Sequence, residues 1–169
     1  PASSEQLQET LEKVGCASWS NVMAGILDCP IPAWNHSIFM DDEVPQVIQL
    51  AEKLRQLDAD GKLTQYKAVA AAADCEQVAD MVALTAEIDD YFVDATIYTP
   101  EDVGRAELEI ILGNMEHLCP YIDLVSYGLA IQQRDHSVRT DYGLVERKDS
   151  QPIQSMKDVP QQGGMEMMQ

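Results

Sequence analysis

Several short stretches carry residue types that could do chemistry. "QLDADGKLTQYK" sets Asp58, Asp60 and Gly61 in the register of a calcium loop. Such a loop needs an oxygen-rich first ligand and a bidentate Glu at its twelfth position. Gln56 and Lys67 stand there instead, and a lysine repels the ion. The stretch therefore reads as a turn between two helices. His117 and Cys119 are close in sequence without further ligands nearby, and His36 and His136 share no metal spacing with them. A surface histidine and a buried thiol are the simpler reading. Ser126 lies in a helical pattern, without the Gly-x-Ser-x-Gly turn that exposes a nucleophile. Phosphate-cradling loops and dinucleotide fingerprints are absent. Asp89 and Asp90 are adjacent, which is ordinary at a helix end. The expectation is a protein with no catalytic residues, no metal and no cofactor.

Carboxylates are the abundant chemistry. The segment Asp74 to Glu109 contains eleven of them and one base, Arg105. Over the whole chain 29 Asp and Glu face 11 Lys and Arg, a formal charge of -18. That balance repels nucleic acid and anionic lipid and attracts basic protein surfaces. Most acids of the segment lack the i,i+4 base that would stabilise them on a helix. Carboxylates three or four positions apart on a helix are about 5–6 Å from one another. This is comparable with successive phosphates on a nucleic-acid strand, and a duplex carries one charge per roughly 1.7 Å. The residues expected to imitate phosphates are Glu76, Asp80, Glu87, Asp89, Asp90, Asp94, Glu101, Asp102 and Glu109. The competing reading is a set of amphipathic helices with solvated outer faces, because solubility alone can explain an acidic surface.

The elements that must position these acids follow from periodicity and caps. A short helix is expected from Glu5 to Val14, then strands in "NVMAGIL" and "SIFM". Pro45 opens a helix with Val47, Leu50, Ala51, Leu54 and Leu57 at helical spacing. "DADG" breaks it, and a second helix runs through Tyr66, Val69 and Ala73. Asp74 with Gln77 resembles a capping box for a third helix, whose apolar stripe is Val78, Met81, Val82, Thr85 and Ile88. Glu76, Asp80 and Glu87 then share its wet face. "YFVD" and "TIY" suggest strands. Thr99-Pro100-Glu101-Asp102 starts a helix that buries Val103, Ala106, Ile110 and Ile111 and stops at Gly113. Asp123 caps another, and "SVR" with "LVER" forms a hairpin around Thr140 to Gly143. Beyond Ser150 the pattern is lost, and residues 151–169 read as a flexible tail.

"CPYIDLVSYGLAIQQRDHSVRTDYGLVERKD", Cys119 to Asp149, resembles the ending of the ArdA family of antirestriction proteins. The matching positions are Tyr121, Ile122, Asp123, Tyr127, Gly128, Thr140, Gly143, Leu144, Val145 and Glu146. The resemblance covers roughly Pro45 to Asp149, while residues 1–44 lack the family's usual opening. It implies an α+β fold, an elongated chain of small modules imitating bent duplex DNA. The modules would be a diverged N-terminal one over 1–44, an acidic helical one over 45–90, and a C-terminal α+β one over 91–150. It also implies that the partner is the DNA-binding groove of a type I restriction-modification enzyme, and that members pair through the C-terminal module. The alternatives are an inhibitor of a CRISPR effector or another nucleic-acid-binding defence protein, or a non-mimic acidic interaction protein of a mobile element.

Self-association should avoid the acidic faces, which repel one another. The densest bases, Arg134, Arg139, Arg147 and Lys148, lie in the hairpin region. Tyr142, Leu144 and Arg147 are the expected homodimer contacts. The sequence shows no apolar run of membrane-spanning length and no leader pattern. Cys16, Cys29, Cys75 and Cys119 form no C-x-x-C pair, which suits reduced thiols and a cytoplasmic location.

Overall fold

A computed structural model describes residues 4–15, 24–25, 31, 38–39, 44–113 and 116–158. Within them the chain is an α+β protein, rich in helix, with a small antiparallel sheet. The N-terminal part contributes helix α1 (Ser4–Val14) and a short ladder between β1 (Ala24–Gly25) and β2 (Ile38–Phe39). These agree with the expected helix and strands; the remainder of those two strand stretches lies outside the described residues.

Helix α2 (Val44–Ala59) buries Val44, Leu50, Leu54 and Leu57, the face expected from spacing. It ends in a turn at Asp60 and Gly61, where Gly61 takes φ +71, a left-handed conformation that costs glycine little. The calcium-like stretch is thus a helix-to-helix turn. Helix α3 (Leu63–Ala72) is buried on most of its circumference, through Tyr66, Ala68, Val69 and Ala70. Tyr66 is fully buried, and its hydroxyl donates to the Met81 carbonyl at 2.9 Å. A buried phenol without such an acceptor would be costly.

Helix α4 (Val78–Glu87) buries Val78, Met81 and Leu84, with Ile88 just beyond its end. The capping box expected at Asp74 and Gln77 is not formed. Asp74 takes φ +50 and closes α3 instead. Its N–H bonds the Ala71 carbonyl at 3.3 Å, and the Cys75 N–H bonds Ala70 at 3.0 Å. This is the paired bonding of a left-handed helix end, a conformation that Asp tolerates better than most residues.

Strand β3 (Tyr91–Asp94) pairs with β5 (Gly143–Arg147), which also pairs with β4 (Val138–Thr140), in the order β3-β5-β4. The strand expected at "TIY" is a turn. Asp94 accepts from both the amide (2.8 Å) and the hydroxyl (2.6 Å) of Thr96, folding the chain so that Ile97 enters the core. Helix α5 (Pro100–Leu112) starts with the expected capping box, Thr99 and Asp102 each accepting from the other's backbone N–H. Helix α6 (Leu124–Asp135) is capped by Asp123, as expected.

Alternate residues of the sheet serve two cores. Tyr91 and Val145 join Leu50, Leu54, Tyr66, Val69, Met81 and Leu84 in the larger one. Leu144 joins Ile97, Val103 and Ile131 in the smaller. The central helices and the sheet therefore share a core, and α5 with α6 covers the other face.

Two expectations fail at the margins of these cores. Ile110 and Ile111 are 81% and 58% exposed, not buried. Ile110 continues the face that carries Val103 and Ala106 inward, but the smaller core ends about a turn before it. Residues 151–158 are docked, not flexible: Ile153 and Met156 pack against the larger core, and the Met156 N–H donates to the Ala73 carbonyl at 2.8 Å. The rest of the expected tail lies outside the described residues. No described helix is long and apolar enough to cross a membrane.

Candidate functional site: the acidic segment

The nine acids expected to act together fall into groups of different availability. Asp80, Glu87, Asp90 and Glu109 carry no side-chain hydrogen bond or ion pair to another described residue. Glu87, Asp90 and Glu109 are exposed, and Asp80 is half-buried in the first turn of α4, where the helix dipole favours an acid. Glu87 sits at the opposite, unfavourable end of the same helix without a base beside it.

Glu76, Asp89 and Glu101 each have one base. Lys157 reaches Glu76 at 2.9 Å, Lys62 reaches Asp89 at 2.6 Å, and Arg105 reaches Glu101 at 2.7 Å. Hydrogen bonding and charge from Lys62 hold the Asp89 carboxyl below its ordinary range. All three acids remain more than half exposed, so water competes with these bases and a partner can as well. Glu76 precedes α4 rather than lying on its face, a correction that follows from the helix starting at Val78.

Asp94 and Asp102 are spent locally. Asp94 holds the Thr96 turn, and Asp102 accepts from the backbones of Thr99 (2.8 Å) and Tyr98 (3.1 Å). Those Thr99 bonds lower the Asp102 carboxyl below its ordinary value. Both still contribute negative charge, but neither side chain is free to reorganise around a partner.

Two gatherings of acid emerge. Asp80, Asp74 and Glu87 all act on Cys75, whose thiol is pushed up to about 12, first by burial and then by these three charges. The second centres on Glu146, which lies across from Phe92 in the sheet. Burial raises its pKa, and Asp135, Glu107 and Asp94 raise it further against the lowering effect of Arg134. Arg134 pairs with Glu107 at 3.0 Å and Asp135 at 2.6 Å. Glu107, Asp135 and Glu146 were missed as a group because they come from two helices and a strand. The Thr140-x-x-Gly143 turn joins β4 to β5, but the pairing with β3 that puts β5 in the middle of the sheet is not local.

Of the expected homodimer contacts, Leu144 needs correction, while Tyr142 and Arg147 are partly exposed. Leu144 is 6% exposed and belongs to the smaller core, because β5 is the middle strand with both faces covered. Tyr142 is half-buried against the larger core, with the Lys67 ammonium 5.9 Å from its ring centroid. Arg147 lies over the Tyr91 ring at 5.6 Å and pairs with Asp149 at 2.7 Å. The exposed apolar residues of this region are on α6 and just before it: Tyr121, Val125 and Leu129.

Grooves of about 340 Å³ and 480 Å³ flank Tyr91. The first meets the outer edge of β3, where the Gln65 amide donates to the Tyr91 carbonyl at 3.1 Å and so blunts the edge. The second lies between Glu87 and Met156 and is lined by Glu87, Arg147, Gln151, Gln154 and Ser155 beside Tyr91 and Met156, a mixed wall of polar and apolar groups. Among the described residues no three His, Cys, Asp or Glu side chains are placed to hold a metal ion. In comparison with known proteins, no family model, curated protein or solved structure matches this chain.

Proposed function

We propose that this protein is a DNA-mimic inhibitor of the antirestriction type, which occupies the basic DNA-binding groove of a type I restriction-modification enzyme. The observation that carries the reading is the excess of uncompensated carboxylate. Pairing every Lys and Arg with an acid would still leave 18 acids over, and Asp80, Glu87, Asp90 and Glu109 have no base of their own among the described residues. A groove that binds DNA presents Lys and Arg at phosphate spacing, and a surface of spaced carboxylates can displace the same counterions. The sequence resemblance over Pro45 to Asp149 points to the same class of target. Self-association through the C-terminal module belongs to the proposal, with Tyr121, Val125 and Leu129 as the contacts.

The exposed apolar residues Ile110, Tyr121 and Leu129 favour a second reading, an acidic interaction protein that binds its partner mainly through apolar contact. A CRISPR effector is the alternative target for the electrostatic reading. The test is DNA cleavage by a purified type I enzyme and by a CRISPR nuclease, each titrated with the protein at several DNA concentrations. Inhibition of the type I enzyme that excess duplex relieves supports the proposal. Inhibition of the CRISPR nuclease alone moves the target, and inhibition of neither removes the mimic reading.

A further inference from the structure

The segment 151–158 forms a strap over the junction of α3 and α4. Ser155 donates its hydroxyl to Asp74 at 3.3 Å, and Lys157 pairs with Glu76 at 2.9 Å and Asp74 at 3.8 Å. Between them Met156 turns inward, and its Sδ lies 3.0 Å from the Cys75 Sγ, whose thiol donates to it. Cys75 is 8% exposed beneath the strap. Met156 itself is half-buried, more open to solvent than Cys75 beneath it, and its thioether helps to hold the strap down. Met81, in contrast, is 2% exposed inside the core.

We propose that Met156 is a redox-modification site, and that its oxidation to the sulfoxide by a peroxide releases the strap and uncovers Cys75. A lone pair of Sδ attacks one peroxide oxygen, the O–O bond breaks and an S–O bond forms. The leaving oxygen departs as water after taking the proton of the transferred oxygen. Sulfur loses two electrons and the peroxide gains them. The product sets a strongly polar S–O group where an apolar thioether packed against Cys75 and the larger core at the end of α3.

Relative magnitudes decide that this modification controls the strap. Full burial of a methionine side chain shifts an equilibrium by roughly tenfold to hundredfold, and half-buried Met156 belongs at the lower end, about tenfold. Exposed ion pairs such as those of Lys157 shift one by about fivefold at most. Once Met156 resists burial, the exposed pairs and Ile153 are left to hold the strap, since the N–H bond to the Ala73 carbonyl belongs to the displaced residue itself. Release also removes Lys157 from Asp74 and Glu76, which makes the acidic segment more negative where the mimic surface is proposed.

The test reads Cys75 directly and needs no partner protein. The full chain is treated with hydrogen peroxide, the peroxide is removed, and thiols are restored with a phosphine. Native alkylation of Cys75 by iodoacetamide is then timed by peptide mapping, which also reports the state of Met156. Oxidised protein should alkylate at Cys75 at least about tenfold faster than untreated protein. Met156→Gln should show that rise without peroxide, as should a chain ending at Ser150. Met156→Leu, which fills the same space and cannot be oxidised, should keep Cys75 protected before and after treatment. An unchanged rate in protein whose Met156 maps as the sulfoxide would overturn the proposal, whatever the chain ending at Ser150 shows. So would deprotection of Met156→Leu by peroxide, because the sensitive residue would then lie elsewhere.

Discussion

Gly104 and Gly128 bring α5 and α6 together backbone to backbone. A Cβ at Gly128 would lie 2.9 Å from the Gly104 nitrogen and collide with the Pro100 carbonyl; one at Gly104 would meet the Leu124 carbonyl. The obstacles are main-chain atoms, which cannot swing aside. Gly128→Ala should therefore destabilise by on the order of 3 kcal/mol and lower the melting temperature by roughly 10 °C. Gly61→Ala meets open space and bears only the left-handed backbone, so about 1 kcal/mol is expected there. Thermal melts of both variants check the ranking, and equal losses would contradict the close packing.

Leu144→Asp is expected to prevent folding. It would place an unpaired carboxylate beside Ile97, Val103 and Ile131, at a cost of about 4 kcal/mol or more. Leu129→Asp, at a position 49% exposed, should change stability by less than about 1 kcal/mol. Sedimentation should show a wild-type dimer that Leu129→Asp or Tyr121→Asp dissociates. A wild-type monomer at every concentration would refute the proposed self-association.

Inhibition should weaken steeply with salt. Carboxylates that replace several phosphates release similar counterions, so the inhibition constant should rise at least about a hundredfold between 50 and 200 mM salt. A flat response would favour the apolar interaction reading.

The dependence of stability on pH has two opposed parts. Hydrogen bonds from Arg147 lower Asp149 from 3.8 to about 2, and Asp89, Asp102 and Asp123 are lowered as well. Their stabilisation is complete above the ordinary carboxylate value and is lost as pH falls through the folded one. Glu146 is raised, so the folded protein holds its proton more tightly than the unfolded chain. Its contribution weakens as pH rises through the folded value, and above that the charged form opposes folding. Glu146→Gln should accordingly stabilise the protein at neutral pH and lose this advantage near pH 3. Urea titrations at the two pH values measure the difference; an equal gain at both would assign it to packing.

Local chemistry made much of the fold legible. Thr99 through Asp102 and the Asp123 cap depend on neighbours within four residues, and the structure forms both. The Val78, Met81 and Ile88 stripe is equally local. Asp74 misled because Asp-x-x-Gln suits a helix start, while the close of α3 decided its backbone. Ile110 obeyed the right period but outran its core. The burial of Leu144 depends on β3 pairing from fifty residues away, and the docking of Met156 depends on the end of α3; neither is visible in a local pattern. For the candidate site, the abundance of acid was legible, but which acids have bases was not. Lys62 with Asp89 and Lys157 with Glu76 are pairs brought together by folding.

The central claim is tested most directly by displacement of DNA. A fluorescent duplex bound to a type I enzyme is titrated with wild-type protein and with a variant carrying Asp80→Asn, Glu87→Gln, Asp90→Asn and Glu109→Gln together. These four side chains hold no cap, turn or ion pair among the described residues, so the variant should keep its fold. The wild type should displace the duplex competitively, and the variant should need at least about tenfold more protein. Retained duplex at saturating wild-type protein, or equal displacement by the variant, would contradict it.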